Sequence, residues 1–337
     1  MRASVKRTLG VASALALAAV LVGYLIVARD PLASHPALTL TADDNWPHLP
    51  PGVGMGQATG LAVDPQGRVF VFHRAGRQWV EPFPSDEIAE DTVFVFDGKS
   101  GALLARWGAA QFIMPHGLAL DARGDVWVTD VGAQQVRKFS AGGKPLLTLG
   151  ERGVKGSDAQ HFALPTDVAF GPDGTVYVSD GYENTRVVRF SPDGRYLGEW
   201  GGKGMAPGRF DLPHGVAVGS SGRVYVADRG NARLQVFDSQ GKFLATWNDD
   251  RVGRPYGVDV ASDGSLYIVD GGNQPWPTRS RVLHVSADGR VLGVLETRQS
   301  RDKAVLGHAI AVAPDGTVYV ADAWADRVRR LVPTAKP

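Results

Sequence analysis

No cysteine occurs in the 337-residue chain. That excludes disulfides, thiolate metal sites, thiol nucleophiles and a lipid-bearing N-terminal cysteine. Any metal must therefore be held by histidine, carboxylate or carbonyl oxygen. An excess of charge is also missing, since 36 Lys+Arg stand against 35 Asp+Glu. A nucleic-acid binder would carry a basic excess or stripe, so that class of partner is excluded. Low-complexity composition is absent too: 44% hydrophobic and 21% charged residues describe an ordinary globular chain. Glycine is the residue in surplus, at 42 positions, and it points to many tight turns between short strands.

One long apolar run is present. Arg2, Lys6 and Arg7 precede 21 uncharged residues from Thr8 to Ala28, long enough to cross a bilayer as a helix. A cleaved signal has a shorter apolar region and a small-x-small site, which Ile26–Ala28 matches poorly. Residues 1–29 are therefore expected to be a signal-anchor, with a cleaved signal peptide as the alternative. The basic residues place that end in the cytoplasm. The remainder is then membrane-anchored and extracytoplasmic, or secreted or periplasmic if the segment is cut. Residues 30–57 contain five prolines between Asp30 and Pro51 and read as linker.

The rest of the chain repeats itself. Opening motifs occur at Met114-Pro115-His116-Gly117-Leu118, Leu164-Pro165-Thr166-Asp167-Val168, Leu212-Pro213-His214-Gly215-Val216, Arg254-Pro255-Tyr256-Gly257-Val258 and Leu306-Gly307-His308-Ala309-Ile310. A divergent copy begins at Thr59-Gly60-Leu61-Ala62-Val63. Each continues into a turn and a period-two segment, as in Asp173-Gly174-Thr175-Val176-Tyr177-Val178-Ser179-Asp180. Alternation of Val and Tyr with small residues gives strands, and Asp-Gly supplies the positive φ of hairpin turns. Four short antiparallel strands per repeat describe a propeller blade, so the fold class is all-β, a six-bladed β-propeller over residues 58–333. Blade one carries an insertion around Arg74–Asp91. The last repeat supplies only three strands, and the ring must hide its edge. The segment near Leu38–Thr41 is expected to provide the closing strand.

In chain order the third motif position holds Thr59, His116, Thr166, His214, Tyr256 and His308. The histidines fall on blades two, four and six, related by a near three-fold axis. The opening motif is expected just ahead of the innermost strand, and taken singly each histidine is a blade-entry residue bonded to backbone. In strict alternation, the three converge on one mouth of the channel, where neutral imidazoles with an open fourth position give the geometry of a catalytic zinc. Tyr182 follows the second strand of blade three, Arg74 ends that of blade one and Arg229 follows that of blade four, so these turns are expected at the same mouth. A cation beside Tyr182 would lower its pKa toward that of a base, and an Arg fork would clamp a carboxylate. His35, His48, His73, His161 and His284 do not share the motif position.

These residues resemble the peptidyl-α-hydroxyglycine α-amidating lyase family, built on NHL-type repeats. The resemblance spans about Ala58 to Arg330. It is carried by Phe72-His73-Arg74, Met114-Pro115-His116-Gly117-Leu118, Trp127-Val128-Thr129-Asp130-Val131, Gly156-Ser157-Asp158 with His161-Phe162, Pro165-Thr166-Asp167-Val168-Ala169, Tyr177-Val178-Ser179-Asp180-Gly181-Tyr182, and Ala227-Asp228-Arg229. It implies zinc, or another divalent ion, on His116, His214 and His308, with Tyr182, Arg74 and Arg229 as active-site residues. It also implies a structural calcium on the carbonyls of Leu61 and Leu118, although the family's carboxylate position is Ala309 here. Calcium takes several hard oxygens, so this departure bears on whether it binds. The family's two disulfides would pair Ala163 with Glu183 and Tyr225 with Val236, and all four cysteines are replaced. No copper monooxygenase domain is present in this chain.

The implied activity is that of a carbon–nitrogen lyase. It splits the N–C bond of an N-acyl or peptidyl α-hydroxyglycine into an amide and glyoxylate, with Tyr182 as base and Arg229 on the substrate carboxylate. Two other readings stand beside it. One is an anchored, non-catalytic binding platform. The other is a calcium-dependent lactonase, which would place acidic ligands where this chain has histidine.

Overall fold

The computed structural model describes residues 34–248, 251–271, 280–296 and 307–334. The 1–29 segment read as signal-anchor lies outside them. Among the described residues no helix is long and apolar enough to cross a membrane.

Strand β1 (Leu40–Asp43) comes first. Blade one follows as β2 (Ala58–Val63), β3 (Arg68–His73), β4 (Val93–Asp97) and β5 (Leu103–Trp107). Blade two is β6 (Pro115–Leu120), β7 (Val126–Asp130), β8 (Gln135–Phe139) and β9 (Pro145–Leu149). Blade three is β10 (Pro165–Phe170), β11 (Val176–Asp180), β12 (Arg186–Phe190) and β13 (Tyr196–Gly201). Blade four is β14 (Pro213–Val218), β15 (Val224–Asp228), β16 (Arg233–Phe237) and β17 (Phe243–Asn248). Blade five is β18 (Pro255–Val260), β19 (Leu266–Asp270), β20 (Arg281–Val285) and β21 (Val291–Glu296). Blade six holds β22 (Gly307–Val312), β23 (Val318–Asp322) and β24 (Arg327–Pro333).

Every blade is an antiparallel sheet of four strands, which makes the molecule a six-bladed propeller. Blade six is completed by β1, paired with β24 through Leu40↔Pro333 to Asp43↔Arg330. Joining the two ends of the chain in one sheet leaves no free seam in the ring. The proline-bearing stretch after β1, expected to be linker, is packed down. Trp46 is buried, donates through Nε1 to the Asp97 carbonyl at 3.3 Å, and lies 4.9 Å from the Tyr319 ring. It thereby joins blade six to blade one.

The second strand of each blade carries the apolar alternation and is buried along its length, as in Val176–Asp180, with only Arg68 at the start of β3 partly exposed. Buried on both faces, these strands feed apolar clusters that lie between neighbouring blades. One such cluster joins Phe70 and Phe72 of blade one to Leu118, Val126 and Val128 of blade two. Hairpin turns use the expected Asp-Gly pairs, and Gly174 has a φ of 82°. The six inner strands, β2, β6, β10, β14, β18 and β22, pack side by side round a central channel.

Candidate active site

All six inner strands break register at the same place. The pairing skips between Ala58 and Gly60, Pro115 and Leu118, Pro165 and Asp167, Pro213 and Gly215, Pro255 and Gly257, and Gly307 and Ala309. The skipped residues include Thr59, His116, Thr166, His214, Tyr256 and His308. The third motif position is thus a β-bulge inside the strand, rather than a residue ahead of it. A bulge frees its residue from the ladder and re-aims the side chain. This is how three period-two strands turn their imidazoles toward one mouth of the channel.

His116, His214 and His308 converge there. Their metal-binding nitrogens lie within 4.8 Å of one another, and no other cluster of this kind occurs among the described residues. Each imidazole is latched by the next blade round the ring. His116 Nδ1 donates to the Thr166 carbonyl at 2.6 Å, His214 Nδ1 to that of Tyr256 at 2.7 Å, and His308 Nδ1 to that of Thr59 at 2.8 Å. A carbonyl only accepts, so the proton sits on Nδ1 and Nε2 keeps its lone pair. This is the outer support that metal-binding histidines carry. Burial pushes all three pKa values down, and neighbouring positive charge, Arg229 in every case, adds to the effect. His308 falls to about 3. Neutral imidazoles with directed lone pairs are the form that binds a divalent ion, so the donor set fits one.

The latch requires small residues. A Cβ on Gly117 would meet the Thr166 carbonyl oxygen at 2.7 Å, and one on Gly215 would meet that of Tyr256 at 2.8 Å. The His-Gly pairs at His116 and His214 therefore bring two of the accepting carbonyls close, while His308, followed by Ala309, keeps its latch beside a methyl group. The His-Gly pairing is visible in the sequence, but its meaning depends on which blade stands next door.

Tyr182 lies over the histidines. Its hydroxyl is 3.0 Å from His116 Nε2 and 3.3 Å from His214 Nε2. Burial raises its pKa, and the charges of Arg229 and Arg74 only partly oppose this. The expected lowering by a neighbouring cation is thus outweighed within the protein itself. Arg74 leaves the end of β3 and is buried. Its Nε donates to the Pro115 carbonyl at 3.0 Å and its Nη1 to Gln57 Oε1 at 2.9 Å, while Nη2 has no partner. Burial without a carboxylate contact lowers its pKa to about 10. Arg229 follows β15, and its guanidinium lies 5.6 Å from the Tyr182 ring centre and 4.5 Å from that of Tyr256. The turns after the second strands of blades one, three and four therefore do share one mouth.

Sequence reasoning misses two contributors. Tyr256 stands in the sequence only as the odd member of the alternation, yet it backs Arg229 and latches His214. Trp79, in the blade-one insertion, lies 4.9 Å from the Arg74 guanidinium and 5.1 Å from the Tyr182 ring. Below the histidines, the channel is lined by Leu61, Leu118 and Ala309 together with Asp167 and Asp259. Burial raises Asp167 to about 7 and Asp259 to about 6. The other histidines lie elsewhere. His73 is buried against Phe94, His161 is bonded to Asp158, and His284 stacks on Tyr267.

The NHL repeat family matches residues 112–139, 162–190 and 210–237. The chain is 41% identical over 178 residues to peptidyl-alpha-hydroxyglycine alpha-amidating lyase 2 of Drosophila melanogaster, covering 50% of this chain and 43% of that protein. It is 38% identical over 318 residues to peptidyl-glycine alpha-amidating monooxygenase A of Xenopus laevis, covering 88% of this chain and 33% of that protein. It is 33% identical over 307 residues to human NHL repeat-containing protein 3, covering 86% of this chain and 83% of that one. The chain thus spans less than half the length of each of the first two relatives.

Proposed function

This chain belongs to the NHL-repeat propeller family of the peptidyl-α-hydroxyglycine α-amidating lyases, and on that premise we propose that it cleaves N-acyl or peptidyl α-hydroxyglycine to an amide and glyoxylate. The observation that carries this reading is the position of the Tyr182 hydroxyl, within 3.3 Å of two imidazole nitrogens whose lone pairs are directed at one point. His116, His214 and His308 would hold a divalent ion, zinc being the expected one. Such an ion polarises a bound hydroxyl and favours its loss of a proton.

Tyr182 is the base for that hydroxyl. Acting as the phenolate, Tyr182 takes the proton of the substrate hydroxyl, that O–H electron pair forms the aldehyde C=O of glyoxylate, and the N–C bond breaks with its pair going to the amide nitrogen. The amide nitrogen then takes the proton back, so no water is consumed. Burial opposes ionisation of Tyr182, and the positive charges of Arg229 and Arg74 offset part of that cost. Arg229, at the rim of blade four, is assigned to the substrate carboxylate through its fork of donors. Arg74 keeps its buried Nη2 amino group free. That donor suits the acyl carbonyl oxygen, on which negative charge builds as the amide departs.

Tyr182→Phe keeps the ring contacts and removes the base. Glyoxylate release should fall by ~10²–10⁴, the usual worth of a general base. Unchanged turnover would remove Tyr182 from this role. The uncharged run 8–28 behind three basic residues supports a membrane anchor, with the propeller on the extracytoplasmic side.

A further inference from the structure

The mouth has two unlike sides. Toward blade four it is cationic and aromatic, with Arg229 against Tyr256. Toward blades one and two it is apolar. There Ile113, Met114, Val131, Ala133 and Leu164 form a buried floor, and Trp79 and Phe83 of the blade-one insertion lie on it with Tyr182. The floor is closed to solvent, whereas both added aromatics stay half-exposed.

The insertion is held in place. Arg77 Nη1 donates to the Ile113 carbonyl at 3.0 Å and to that of Asp86 at 2.7 Å, and Nη2 pairs with the Asp86 carboxylate at 2.7 Å. The Ile88 N–H donates to the Phe112 carbonyl at 2.8 Å, which ties the far end of the insertion to blade two. Trp79 and Phe83 pack edge to face at 4.8 Å. The indole N–H is satisfied by Glu81 at 3.1 Å, so the ring asks nothing polar of a ligand. Its centre is 6.4 Å from the His116 ring, about one side chain's breadth from the point the imidazoles address.

We propose that Trp79 and Phe83, standing on Ile113 and Met114, form the subsite for the acyl part of the substrate. The preferred substrate is then an α-hydroxyglycine whose acyl group, or whose preceding residue, is apolar and most favourably aromatic. This rests on the lyase reading above and names the substrate class within it. Two observations orient the substrate. Arg74 holds its guanidinium 4.9 Å from the Trp79 ring, so an acyl carbonyl at its free Nη2 places the rest of the acyl group beside the indole. Arg229 sits 4.5 Å from the Tyr256 ring and is no part of the apolar cluster under Trp79, so a carboxylate held there is apart from the shelf. Burying an aromatic ring on such a surface favours one substrate over another by roughly ten- to two-hundred-fold. Binding energy from a non-reacting group also supports orientation at the reacting one.

The test compares N-acetyl- with N-benzoyl-α-hydroxyglycine by glyoxylate release, in the unmodified protein and in Trp79→Ala, Trp79→Phe and Phe83→Ala. The expected result is a kcat/KM ratio of ~10 or more in favour of benzoyl, by the specificity argument above. That ratio should fall at least about five-fold in both alanine variants, on the same argument, and largely survive in Trp79→Phe. Equal kcat/KM for the two substrates, or a ratio unmoved by either alanine variant, would overturn the subsite and leave the lyase reading intact. A parallel calorimetric titration uses N-acetylglycine and N-benzoylglycine, which lack the hydroxyl and cannot react. Tighter binding of the benzoyl compound, lost in Phe83→Ala, supports the shelf even if no α-hydroxyglycine is cleaved, in which case the lyase reading alone fails. Indifference in that titration as well would overturn the subsite.

Discussion

At the residue scale, the site depends on what each imidazole does with its second nitrogen. The Thr59, Thr166 and Tyr256 carbonyls fix the protons of His308, His116 and His214 on Nδ1, so all three Nε2 atoms are left as donors to an ion. Gly215 makes one of these contacts possible, since a Cβ there would come within 2.8 Å of the Tyr256 oxygen. Gly215→Ala should therefore weaken ion binding by ~10–100-fold, the usual worth of an outer-shell partner, while the propeller stays folded. Competition with a chromophoric chelator measures this, and unchanged affinity would remove the latch from the account. Asp259 makes a different prediction. Its pKa of about 6 lies above the ordinary carboxylate value, so the folded protein holds a proton that the unfolded chain releases. That contribution to stability is complete at low pH and is lost as pH rises through about 6. Thermal unfolding in chelator between pH 5 and 7.5 should show a falling Tm, with a shallower slope in Asp259→Asn. Equal slopes would contradict the assignment.

At the scale of elements, two devices matter: the bulge repeated in every inner strand, and the borrowed strand β1. The bulge explains why the third motif position is legible as a site. It recurs at the same residue in all six copies, so aligning the repeats with one another is enough to reveal the His alternation. Ring closure is legible for a similar reason, because three strands in the last repeat leave a place that only the stretch near Leu38–Thr41 can fill. The packing of Trp46 is not legible, since its partners Asp97 and Tyr319 stand in the first and last blades. Trp79 escapes notice because an irregular insertion carries no periodicity to read. The direction of the Tyr182 shift escapes it too, because sequence shows the cations but not the depth of burial. Strand β1 yields its own prediction. A fragment beginning at Ser34 keeps the β1–β24 pairing, and one beginning at Asn45 loses it. The shorter fragment should unfold several degrees lower by circular dichroism, by about 4 °C or less for each kcal/mol lost in a domain of this size. Equal Tm values would deny the strand its closing role.

For the whole molecule, the six blades act as a frame that brings side chains far apart in the sequence to one point. Thr59 and His308 are separated by 249 positions and meet in a hydrogen bond across the seam. Each blade contributes a short loop and one bulged residue, and none of them makes a site alone. Blades two, four and six supply the imidazoles, blade three the phenol, and blades one and four the guanidiniums. On the proposed reading this assembly is a metal-dependent lyase. The most direct measurement is glyoxylate release from N-benzoyl-α-hydroxyglycine by the fragment beginning at Ser34, before and after chelation, with His308→Ala alongside. Release should stop on chelation, return with a divalent ion, and be absent from the variant. A folded fragment that binds one ion per chain and releases no glyoxylate would contradict that reading, as would release that persists in His308→Ala.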